Sequence, residues 1–83
     1  MNLIITDSDW TLVPIPGDKQ ITNVGNCEIR ISQQTDKPTN AQDGLVLSTY
    51  KHDYATIISK GMANVWLLPV GGQGVAHIES VEI

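Results

Sequence analysis

Strand-favouring residues are spread along the whole chain, and glycine or proline interrupts it at short intervals. Of its 83 residues, 24 are Ile, Val or Thr, whose branched side chains pack well on a pleated sheet and lose rotamer freedom in a helix. Seven Gly and four Pro leave no window of about 12 residues with a clean helical stripe of apolar residues. The sequence therefore predicts β structure throughout.

Eight segments show the alternation or the flanking turn residues that are typical of strands. They are Asn2–Thr6, Trp10–Val13, Lys19–Val24, Cys27–Ser32, Gly44–Thr49, Tyr54–Ser59, Ala63–Pro69 and Val75–Ile83. Short strands at intervals of roughly 8–12 residues, with no helices between them, favour antiparallel sheets. We expect an all-β fold, a small antiparallel β-sandwich or jelly-roll-like barrel of seven to eight short strands, with residues 1–83 forming a single domain.

Several local patterns refine this expectation. Gly25-Asn26 predicts a tight two-residue reversal with positive φ, and the polar stretch Gln33–Asp43 predicts a loop. The alternation over Cys27–Ser32 predicts a half-buried strand that buries the thiol. Ala63–Pro69 is apolar on both faces, which predicts a central strand or one covered by a partner. The last segment changes parity, which predicts a bulge near Glu79-Ser80.

A chain of this length can bury only a thin core. Domains of this size bury roughly 60–65% of the surface that they expose when unfolded. The single Cys27 excludes an internal disulfide, and His52 and His77 do not have the spacing of zinc ligands. We therefore expect no metal and no cofactor, and we expect extra stability from assembly as a homo-oligomer (a trimer) or from docking onto a larger lattice.

Charge and hydropathy argue against two partners, nucleic acid and a membrane. The net charge is −4, and the five basic residues are scattered singly, so nucleic acid is not an expected partner. No run of about 18–20 apolar residues exists that would span a membrane, and the first ten residues do not have the pattern of a signal peptide. A free thiol without an export signal predicts synthesis in a reducing cytoplasm.

No segment has the pattern of a known active site. His52-Asp53 between Tyr50 and Tyr54 is the most reactive-looking cluster, and a polar turn explains it. Asp7-Ser8-Asp9 carries two carboxylates but lacks the further ligands of a calcium loop. Gly71–Gly74 resembles a phosphate loop in composition only, because no helix or lysine follows it. We therefore expect that the protein is not an enzyme.

Two sets of residues are candidates for binding. Leu3, Ile5, Trp10 and Trp66 are the predicted partner contacts, because the first three lie in an apolar N-terminal segment and Trp66 in the most apolar strand. The alternative, that Asn2–Thr6 is simply the first strand of the sandwich, stays open. Tyr50 and Tyr54 flank a loop and form the second set, a stacking platform for a glycan.

A set of short motifs resembles a known family. The motifs are Ile21-Thr22-Asn23-Val24-Gly25, the strand Cys27–Ser32, Pro38, Gly44-Leu45-Val46-Leu47 and Asn64-Val65-Trp66. Together they resemble the pattern of small bacteriophage virion proteins and fibre domains, over roughly Gln20–Leu68. The motif residues are structural, so no functional residue is carried over from the family.

The resemblance implies a virion component without enzymatic activity. Its first form is a capsid decoration (cement) protein that binds and stabilises the major capsid protein lattice, or another virion protein. Such a protein would be made in the host cytoplasm and would end on the capsid surface. The alternative is a small fibre or tail module that binds host glycans or another tail protein. A small enzyme, or an inhibitor of a host enzyme, is a third hypothesis.

Overall fold

The eight predicted segments each overlap a strand of the structure. The computed structural model describes residues 1–6, 9–40, 44–49, 56–60 and 64–81, and no helix occurs in these ranges. The strands are β1 Asn2–Ile5, β2 Thr11–Leu12, β3 Lys19–Asn23, β4 Ile29–Gln33, β5 Leu45–Leu47, β6 Thr56–Ser59, β7 Val65–Pro69 and β8 Gly74–Ser80. The all-β prediction is confirmed.

The strands form two antiparallel sheets of four. Sheet 1 has the order β1-β8-β3-β6, and sheet 2 has the order β2-β7-β4-β5. β1 pairs with β8, β2 with β7, β3 with β6 and β4 with β5. These are the pairs of one long antiparallel hairpin that is folded over into two sheets, which is the topology of a jelly roll.

The core lies between the two sheets. Alternate residues of each strand point inward, as expected for a pleated strand. The main core residues are Ile5, Val13, Ile21, Ile29, Ile31, Leu47, Val65, Leu67, Ala76 and Ile78. Full burial of one such Val, Leu or Ile side chain contributes about 1.5–3 kcal/mol, so this layer is the main source of stability.

The prediction for Gly25-Asn26 is wrong. Gly25 does not have a positive φ, and β3 and β4 belong to different sheets, so this connection crosses the sandwich. The buried side chain of Asn23 shapes the crossing: Nδ2 donates to the Cys27 carbonyl at 2.8 Å and to the Leu47 carbonyl at 3.2 Å. The Gly25 N–H donates back to Oδ1 at 3.0 Å. A side chain therefore turns the backbone here, in place of a left-handed glycine.

Two further expectations need correction. The Cys27 thiol is not buried, because the residue precedes β4 and is half-exposed, with Sγ 3.9 Å from the Gly71 carbonyl oxygen. The bulge near Glu79-Ser80 does not form, because β8 keeps an unbroken register with β3 from the Lys19 pair to the Asn23 pair.

Ala63–Pro69 was predicted to be either a central strand or a strand covered by a partner, and the first of these is confirmed. β7 is a central strand, because it lies between β2 and β4 in sheet 2. Gln33 belongs to β4, and Gln34–Asn40 forms the described part of the predicted loop. Pro38 in this loop is buried, although the sequence around it is polar.

Asn23→Ala tests the importance of the crossing. The substitution leaves two carbonyl groups and one N–H in the interior without their partner, so we expect a loss of about 2–4 kcal/mol in the free energy of unfolding. Urea denaturation followed by tryptophan fluorescence measures it. Asn26→Ala is the matched control, since Asn26 is exposed on the same connection, and it should change stability by less than about 0.5 kcal/mol. Equal effects of the two variants would contradict this role of Asn23.

Candidate interaction surface

The two sheets are separated by a cleft where β5 faces β6. β5 is an edge strand of sheet 2, and β6 is an edge strand of sheet 1. The cleft has a volume of about 350 Å³. Five of its six lining residues are apolar; the six are Ile31, Leu45, Val46, Leu47, Thr56 and Ile57. The inner layer of the sandwich is therefore accessible along this side.

Exposed apolar side chains lie on both sides of this cleft. Leu45 is 68% exposed, Val46 41% and Ile58 52%. Leu45 lies on the same face of β5 as Leu47, but only Leu47 is buried. We call Leu45, Val46, Ile57 and Ile58 the β5–β6 surface. The register directs Leu45 and Ile57 toward the cleft, and Val46 and Ile58 onto the outer faces of sheet 2 and sheet 1. Apolar side chains around two strand edges suit a protein partner, because they offer hydrophobic contact next to the backbone groups of edge strands.

Part of the outer face of sheet 2 is covered by the chain itself. Trp66 Nε1 donates to the Gln34 carbonyl at 3.1 Å, and Asn64 Nδ2 donates to the Thr35 carbonyl at 2.9 Å. Lys37 forms an ion pair with Asp9, next to β2. These bonds hold the segment Gln34–Pro38, which we call the strap, against the end of β7. The strap covers this face around Trp66, whereas Leu12 and Val46 on the same face are exposed.

The four predicted contact residues are buried or half-buried. Ile5 is 1% exposed and belongs to the core, and Leu3 is half-buried against the same core. Trp10 is 7% exposed, and Trp66 is half-buried with its ring N–H bonded to the strap. The side chains of Ile5 and Trp10 are therefore not accessible to a partner in this conformation. Asn2–Ile5 forms strand β1 of sheet 1, in agreement with the alternative that Asn2–Thr6 is the first strand of the sandwich.

The other candidate site residues lie largely outside the described ranges. Tyr50 and Tyr54, the predicted glycan platform, are among them, as are His52-Asp53 and Asp7-Ser8. The glycan hypothesis therefore stays a prediction.

His77 lies in a polar row on the outer face of sheet 1. Its Nδ1 is 2.7 Å from Asn2 Oδ1, and its Nε2 is 2.9 Å from Glu79 Oε1. In the next two strands, β3 and β6, the hydroxyls of Thr22 and Thr56 are 3.1 Å apart. The hydrogen bond to His77 lowers the pKa of Glu79 below its ordinary value of 4.5. Both ring nitrogens of His77 face these surface acceptors, so the arrangement resembles a surface network and not a catalytic dyad.

Other functional classes find no support in the described part of the chain. Within those ranges, no group of three or more His, Cys, Asp or Glu side chains is placed to hold a metal ion. The same ranges contain no helix that is long and apolar enough to cross a membrane. Comparison with protein-family models, curated proteins and solved structures finds no match to this chain.

The β5–β6 surface was missed at the level of sequence, although a signal for it exists. Leu45-Val46-Leu47 and Ile57-Ile58 are short runs with apolar residues at successive positions, so each presents apolar side chains on both faces. β7 has the same pattern of apolar residues on both faces. It is a central strand, whereas β5 and β6 are edge strands, so the outward apolar side chains of β5 and β6 stay exposed.

Lys37→Met tests the electrostatic attachment of the strap. The hydrogen bond from Lys37, and next the Trp10 N–H at 2.8 Å, hold the pKa of Asp9 below its ordinary value of 3.8. In the variant the pKa of Asp9 should rise toward that value, as measured by NMR titration of the carboxyl carbon. A pKa of Asp9 that stays unchanged would contradict the pairing, and Lys60→Met is the control that should leave it unchanged.

The same pair predicts a sign for the effect of acid. Because the folded-state pKa of Asp9 is depressed, its contribution to stability is present above pH 3.8 and is lost as the pH falls through the folded-state value. The melting temperature of the wild type should therefore fall more steeply than that of Lys37→Met below about pH 4. The effect is small and weakens with added salt, since both side chains are exposed.

Proposed function

We propose that this chain is a non-enzymatic structural protein of a bacteriophage particle, a capsid decoration (cement) protein that binds the major capsid protein and stabilises its lattice. The β5–β6 surface is the observation that supports this proposal most. The fold alone does not specify a function, because jelly-roll proteins have many different functions. The resemblance over Gln20–Leu68 supports the virion as the setting.

The physical argument starts from the small core. An 83-residue jelly roll that leaves Leu45 and Ile58 more than half exposed loses hydrophobic stabilisation that a partner can restore. An interface of standard size takes about 800 Å² from each partner, which is about a sixth of the 5024 Å² surface of this chain. One side of the sandwich is large enough to supply it.

A capsid lattice fits such a surface well. It presents many copies of one site at high local concentration, and binding to the folded state adds stability by mass action. Decoration proteins that gather around a symmetry axis form rings, and a trimer is the arrangement that we propose here. The net charge of −4 does not favour contact with the packaged genome, so the outer capsid surface is the proposed location.

The test is binding to shells assembled from the major capsid protein encoded in the same genome, without this chain. We expect the wild type to co-sediment stoichiometrically and to raise the temperature at which the shells break. The double variant Leu45→Asp, Ile58→Asp should bind at least about tenfold more weakly, because each carboxylate would be desolvated in an apolar contact.

Ile4→Asp is the matched control for this experiment. Ile4 is 59% exposed on β1, the edge strand of sheet 1 opposite β6, so its substitution should leave binding unchanged. A wild-type protein that does not bind shells would contradict the proposed function. Shell binding that survives the double variant would instead contradict the assignment of the surface. Light scattering of the free protein decides between a trimer and a monomer that assembles on the lattice.

A further inference from the structure

A lysine side chain is enclosed in the interior at one end of the sandwich. Lys19 is the first residue of β3, and the alternation of this strand points it inward with Ile21 and Asn23. Only 2% of the residue is exposed. Its neighbour Ser59, paired with it across β3 and β6, donates its hydroxyl to Gln33 Oε1 at 3.0 Å and so is already engaged.

The ammonium of Lys19 has no hydrogen bond or ion pair in the described part of the chain. No buried side-chain nitrogen or oxygen there lacks a hydrogen-bond partner, so the ammonium must retain some contact with solvent. A lysine whose residue is 2% exposed and whose ammonium reaches solvent without a counter-charge is unusual. Snorkelling of the stem explains how the side chain is accommodated, but it does not supply a counter-charge.

Lys19 lines a cleft of about 330 Å³ at this end of the sandwich. Leu12, the segment Val13–Pro16 and Asn64 form most of the remaining lining. No described acidic residue lines it. Apolar walls, one cation and a volume near the lower limit of ligand pockets are the features of a small-molecule site.

The lining selects among anions. Pro14 and Pro16 have no backbone N–H, so the β2–β3 connection does not form the row of amides that binds phosphate. Asn64 uses one N–H for the Thr35 carbonyl and keeps a second one. A lining with one ammonium and one side-chain amide matches a single carboxylate better than a phosphate or a sulfate, and the apolar walls match an apolar body.

We propose that this cleft is a binding site for a monocarboxylate with a small apolar body, whose carboxylate pairs with Lys19. The site lies on the β2–β3 connection and the start of β7, so it is separate from the β5–β6 surface. The same chemistry is carried by a small organic acid and by the free carboxyl terminus of a chain that ends in an apolar residue.

The experiment is an amide NMR titration of the wild-type protein with hexanoate, 1-hexanol and inorganic phosphate. Hexanoate should shift the Ile15, Gly17 and Lys19 amides in a saturable way, with a dissociation constant on the order of millimolar. Hexanol and phosphate should each bind at least about tenfold more weakly, because hexanol has no carboxylate to pair with Lys19 and phosphate has no apolar body to contact the walls. A short peptide that ends in leucine, compared with its amide, reports whether a chain terminus binds more tightly than hexanoate.

Lys19→Met keeps an unbranched stem of similar length and removes the charge, so it should weaken hexanoate binding at least about tenfold. Lys60→Met, at an exposed lysine directly after β6, is the control and should not weaken it. Three results overturn the proposal: no saturable shift by about 50 mM hexanoate, equal binding of hexanol, or unchanged binding by Lys19→Met. If the variant does not fold, the comparison of hexanoate with hexanol on the wild type still decides.

Discussion

The buried amide of Asn23 is the interaction on which the arrangement of the two sheets depends. It lies where the chain leaves sheet 1 for sheet 2, and its three hydrogen bonds reach the β3–β4 connection and strand β5. Backbone groups at a sheet crossing have no ladder partner, so a side chain has to satisfy them if they are buried. Asn23 does this at one end of the sandwich, and the strap covers part of the outer face of sheet 2.

Closure of the fold is therefore uneven. The side where β5 faces β6 has no strap in the described ranges, and it leaves apolar residues exposed. The start of β3 holds a lysine in a mostly apolar cleft on the β2–β3 connection. A thin core explains both features, because an 83-residue sandwich does not have enough chain to cover every edge and end. The same shortage makes surfaces available for binding.

The strands were predictable from sequence because alternation and turn residues act locally, and β1, β4 and β7 lie within the predicted segments or one residue from them. Partners across the sandwich were not predictable. Gly25-Asn26 has the composition of a hairpin turn, yet the strands that it connects, β3 and β4, lie in different sheets. The sequence shows Lys19 as one of five singly scattered basic residues and Pro38 as part of a polar stretch, whereas the burial of each is set by distant segments.

Amide hydrogen exchange of the protein, free and bound to capsid shells, tests the central claim most directly. If the β5–β6 surface is the contact, exchange at Leu45–Leu47 and Thr56–Ser59 should slow on binding, while exchange at Asn2–Ile5 on the opposite edge stays the same. Protection confined to β1, or a pattern of exchange that binding leaves unaltered, would contradict the account.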